Sequence, residues 1–78
     1  MMSGMIGFPG KNQVEATRVR YPKGCRVVLL DMDDTQAPPP GTEGTVRGVD
    51  DAGQIMVAWD TGSSLSLIPG VDSFRKKE

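Results

Sequence analysis

"TVRGVDDAGQIMVAWDTGSSLSLI", residues 45–68, is the stretch on which the fold turns. Ile55, Val57 and Trp59 alternate with Met56 and Ala58, and further on Leu65 and Leu67 alternate with Ser64 and Ser66. A period of two is that of a half-buried β-strand, because successive side chains point to opposite faces of a sheet. "DAG" and "TG" separate the runs, and Gly53 supplies the positive φ that a short hairpin loop asks for. "TVRGVD" ahead of the first turn reads as one more strand.

Upstream, "CRVVLLDM" (25–32) is a strand with both faces largely apolar. "DDTQAPPPGTEG" (33–44) is a long loop, since prolines cannot donate ladder hydrogen bonds and Pro40 before Gly41 suits a tight turn. Further back, "PGKNQVEATRVRYP" (9–22) predicts a helix of two to three turns, with Asn12 as a cap and Val14, Arg18 and Tyr21 on one face. Downstream, "PGVDSF" (69–74) allows one helical turn before Phe74 opens a last strand. The expected architecture is mainly β: a flexible tail over 1–8, a short helix over 9–21, a small five-stranded SH3-like barrel over 22–75 and a tail over 76–78. Its core would be Val27, Leu29, Val46, Ile55, Val57, Leu65, Leu67 and Phe74, with Trp59 partly exposed.

Composition narrows the function classes. Seventy-eight residues make one domain, of a size that buries only ~60% of the surface its unfolded chain exposes. The net charge of −1 gives no general field for a nucleic-acid backbone. The absence of His removes imidazole metal sites and His-based triads, and it leaves the one cysteine, Cys25, without a base. Cys25 reads as a small buried residue at the start of an apolar run. No stretch approaches the ~20 apolar residues of a membrane span. "MMSGMIGFPG" lacks the basic leader of a signal peptide, so the expected location is the cytoplasm.

One motif points the other way. "VVLLDMDDTQ" (27–36) looks like the strand and D-x-D-x-T loop of haloacid-dehalogenase-type phosphatases, with Asp31 as nucleophile, Asp33 as acid and base, and Thr35 beside them. That chemistry needs a parallel strand, helix, strand scaffold, and each such unit takes ~30 residues or more. "APPPGTEG" blocks the helix and hands the chain to a hairpin, so no catalytic residue and no cofactor is expected. The acids read instead as loop formers that accept backbone N–H groups.

"RYPKGCRV", "MDDTQAPPPGTEGTV", "GVDDAGQIMVAWD" and "GSSLSLIPGVDSF" resemble an uncharacterised family of small bacterial proteins known only as a domain of unknown function, over residues 8–75. Members that resemble this chain occur in gram-positive bacteria, their phages and their conjugative elements. The resemblance implies an accessory protein of a phage or other mobile element, and its setting adds, as a second reading, a factor that blocks host defence by occupying a defence protein or sequestering a nucleotide signal. It supplies no functional residues. More distantly, "GTEGTVRGVDDAGQIMVAWDTGS" is similar to stretches of other SH3-like modules, which bind peptides, proteins or nucleic acids.

The leading expectation is therefore a non-enzymatic module that binds a host protein. Its face would join the long loop to the Trp59 hairpin: Met32, Asp33, Asp34, Pro38 and Pro39 from the one, Trp59, Asp60 and Ser63 from the other. Trp59 would act as a packing platform, the acids would take a basic side chain, and Ser63 would offer a hydroxyl. The alternative is a homo-oligomer that sequesters a nucleotide signal, with Arg18, Arg26 and Arg47 as phosphate partners. Nucleic-acid binding is a further alternative, against which the slightly acidic balance and the few aromatics count.

Overall fold

Residues 10–77 are described by a computed structural model. The expected tail over 1–8, Pro9 at the expected helix start, and Glu78 lie outside the described residues. Helix α1 spans Lys11–Arg20 and is followed by four strands, β1 Arg26–Asp31, β2 Glu43–Val49, β3 Ile55–Trp59 and β4 Ser73–Lys76. They form one antiparallel sheet in the order β3-β2-β1-β4.

The helix starts at Gly10, whose carbonyl accepts the Val14 N–H at 3.0 Å. Asn12 lies inside the first turn and no side chain caps the helix, which corrects the expected cap. Tyr21 ends it, and Arg18 and Arg20 in the last turn sit where the helix dipole favours cations. The face formed by Val14, Arg18 and Tyr21 turns inward as its spacing requires. Val14 is buried, and Tyr21 packs on the core with its ring 5.5 Å from that of Phe74 in a tilted pair.

The turns follow local chemistry. Gly41 (φ 91°) follows Pro40, and the Thr42 N–H reaches back to the Pro39 carbonyl at 3.1 Å. Gly53 (φ 85°) closes the β2–β3 hairpin, where the Asp50 carboxylate accepts the N–H groups of Ala52 and Gln54. Between Ile68 and Asp72 the chain makes one helical turn, tied by Asp72 N–H to Ile68 C=O at 2.9 Å.

The core consists of Val14, Val27, Leu29, Val46, Val49, Ile55, Val57, Trp59 and Leu67, with Tyr21, Cys25, Met32 and Phe74 packed against it. Three expectations need correction. Trp59 is 3% exposed, a core residue and not a partly exposed platform. Its ring fits because β2 carries Gly44 opposite it: a Cβ there would stand 2.8 Å from Trp59 Cε3 and 2.5 Å from Val57 Cγ1. Leu65 and Phe74 are half-buried and are not part of the closed core. The strands make a four-stranded open sheet, in which residues 63–66 form no strand and Leu67 makes a single bridge to Ile55 beside β3. Lys76 belongs to β4, not to a tail.

Candidate functional site

Among the places that bring polar side chains together, the first is the junction of the long loop with the Trp59 hairpin. The loop over 32–42 is pinned at its base, where Gly41 N–H reaches Leu29 C=O at 2.7 Å and Leu29 N–H reaches Thr42 C=O at 2.8 Å. Beside that base the Asp60 N–H donates to the Glu43 carbonyl at 2.9 Å, so loop and hairpin adjoin as expected.

Of the residues expected to form the face, the structure exposes Asp33, Asp34, Pro39 and Asp60. It buries Pro38 and Trp59 and packs Met32 against the core. Ser63 is half-buried and its Oγ accepts the Leu65 N–H at 3.4 Å. The Trp59 indole N–H donates inward to the Leu65 carbonyl at 2.9 Å, so Trp59 shapes the hairpin and offers no platform.

Asp60 is held by Arg26, whose guanidinium reaches its two carboxylate oxygens at 2.9 and 2.6 Å. The same guanidinium donates to Thr45 Oγ1 at 2.9 Å and to Glu43 Oε1 at 3.1 Å, and Lys77 donates to Glu43 Oε1 at 2.7 Å. Hydrogen bonds from Asp60 and Glu43 raise the Arg26 pKa above its ordinary value. In turn the Arg26 bond holds the Asp60 carboxyl low, and Lys77 first and then Arg26 hold Glu43 low. Arg26 is thus committed within the chain. So is Arg18, which donates to Val49 C=O, Glu15 and Asp51. Two of the three expected phosphate arginines are therefore engaged, and Arg47 alone of the three has no partner among the described residues.

Asp31, Asp33 and Asp34 remain exposed at the other end of this region. Asp34 accepts the Gln36 N–H at 2.8 Å, an ordinary turn-forming bond. Among the described residues no three His, Cys, Asp or Glu side chains converge on a point where a metal could sit. The scaffold after Asp31 is an antiparallel return to β2, not a helix and a parallel crossover.

The second place is a groove of about 380 Å³ lined by Arg47, Met56, Val57, Ser64 and Ser66. Glu43, Thr45 and Lys77 at the first place, and Met56, Ser64 and Ser66 at the second, were not legible as site residues. Only strand pairing reveals them, for example Arg26 opposite Thr45.

Residues 10–77 match the family described as domain of unknown function DUF4314. The chain belongs to that family. None of the curated proteins matches this DUF4314 chain. Its described residues include no helix long and apolar enough to cross a membrane.

Proposed function

We propose that this chain is a non-enzymatic recognition module on an SH3-like barrel, with an acidic loop that takes a basic surface of a protein partner. The barrel reading is supported by strand order. With the Leu67 bridge counted beside β3, the sequence-order arrangement is 5-1-2-3-4, with the long loop after the first strand and a helical turn before the last. These are the features expected of an SH3-like chain.

The observation that carries the recognition reading is a local imbalance of charge. Among the described residues Glu15 and Asp51 pair with Arg18, Glu43 and Asp60 pair with Arg26, and Asp50 and Asp72 accept backbone N–H groups. Among the described residues Asp31, at the end of β1, and Asp33 and Asp34, at the start of the long loop, have no cationic partner, and that loop is anchored by the buried Pro38 and the Pro40–Gly41 turn. Prolines limit the freedom of the unbound loop, so presenting it to a partner costs less ordering entropy. Complementary charge speeds encounter and rejects wrong partners. Resemblance to proteins of phages and conjugative elements makes a host protein, one that serves defence, the partner we propose.

The test is retention from an extract of the host. The folded parent should hold a protein that the combined change Asp31→Asn, Asp33→Asn and Asp34→Asn releases and that Arg47→Gln keeps. Equal retention by parent and triple variant would remove the acidic loop from the interface.

A further inference from the structure

Between Ser63 and Leu67 the chain runs beside β3 but pairs with it only at the two ends. Trp59 N–H donates to Ser63 C=O at 2.9 Å, and Ile55 and Leu67 exchange two bonds of 2.8 Å. In that register Val57 faces Leu65, yet the Leu65 carbonyl accepts the Trp59 indole N–H instead. Among the described residues no backbone bond joins Val57 to Leu65. The groove of about 380 Å³ lies at this missing rung.

Its chemistry is one-sided. Arg47 stands on β2, exposed, with no carboxylate partner among the described residues. Ser64 and Ser66 form the other wall, and none of the lining residues is acidic. Met56 and Val57 add apolar surface, and Met56 Cε lies 3.3 Å from where a Cβ on Gly48 would be, so its side chain reaches over the glycine of the β2 bulge. A guanidinium fork with two hydroxyl donors matches an oxyanion that only accepts hydrogen bonds. The volume falls at the small end of the range for small-molecule sites.

We propose that this groove binds a small phosphate monoester, its phosphoryl group against Arg47, Ser64 and Ser66 and its organic body over Met56. This site is separate from the acidic loop, and either can exist without the other. The probes are phenyl phosphate and inorganic phosphate, titrated into the isotope-labelled protein while backbone amide shifts are followed by NMR. Saturable shifts should centre on residues 47, 56, 57, 64 and 66, with phenyl phosphate binding more tightly than inorganic phosphate. Arg47→Gln should weaken phenyl phosphate roughly 10-fold or more, the loss of a charge-assisted contact, with the rest of the spectrum unchanged. Arg75→Gln, on β4 at the far edge of the sheet, should leave binding as it was. Absence of saturable shifts at the groove, or equal loss in the two variants, overturns the site. Equal affinity for the two probes overturns the assignment to an ester.

Discussion

Arg26 on β1 grips both carboxylate oxygens of Asp60, in the turn that follows β3, across the width of β2. Glu43 and Lys77 extend this grip, so the four side chains together join β1, β2, the turn after β3 and the residue that follows β4. The Asp60 and Glu43 carboxyls titrate below their ordinary values of 3.8 and 4.5. As pH falls, the unfolded chain therefore takes up protons before the folded one, and stability declines from about pH 4.5 downward. Above that pH the contribution is fully present. Thermal melts between pH 2 and 7 should show this decline, and Arg26→Gln should make it shallower. Because the groups are exposed or only half-buried, high salt should also flatten it.

Trp59 is a test of packing rather than of binding. Trp59→Phe keeps most of the ring but leaves the Leu65 carbonyl without its donor, a loss of about 1 kcal/mol. Trp59→Ala empties a core position and should cost about 3–5 kcal/mol. Urea denaturation measures both, and a Trp59→Ala variant as stable as the parent would contradict the burial described here.

Gly44 is the partner of that ring. Gly44→Ala drives a Cβ to 2.5 Å from Val57 Cγ1 and 2.8 Å from Trp59 Cε3, atoms of the core rather than of a free surface chain. Overpacking of this kind costs roughly 1–3 kcal/mol. The check is a fall in the denaturation midpoint larger than that for Gly10→Ala, whose Cβ would meet nothing within 4 Å.

Asp31 and its neighbours should be dispensable for stability. Asp33→Asn with Asp34→Asn keeps the oxygen that accepts the Gln36 N–H, and exposed changes of this sort stay within about 0.5 kcal/mol. With Mg²⁺ present the pure protein should not hydrolyse a general phosphomonoester, and Asp31→Asn should change no rate. Turnover that disappears in Asp31→Asn would defeat the non-enzymatic reading.

The turns at Pro40–Gly41 and Gly53 were legible because their chemistry is local: a fixed φ, a missing Cβ, an aspartate two residues from an N–H. The alternation of Ile55, Val57 and Trp59 likewise placed all three side chains on one face. What failed depended on partners far away in sequence. Nothing near Trp59 reveals that Gly44 leaves room for its ring, and nothing in "SSLSLI" reveals that the Leu65 carbonyl turns to the indole and breaks the ladder. The expected face lost Trp59 and Pro38 to the interior for the same reason, while its acids and Pro39 stayed at the surface. The arginines looked alike as a composition, and only their neighbours across the sheet separate the engaged Arg18 and Arg26 from Arg47.

The order β3-β2-β1-β4 puts the first strand at an inner position, flanked by the second strand and by the last. Pairing β1 with β2 is a nearby event, whereas bringing Phe74 beside Leu29 means closing most of the chain into a loop, and such remote contacts slow folding. Until that closure, Val27, Val28 and Leu29 lie on a strand with one row of amides and carbonyls unsatisfied. An apolar strand in that condition is a template for another copy of itself. The arrival of β4 is thus what covers that row of β1, and its Arg75, Lys76 and the following Lys77 place positive charge along the edge that remains.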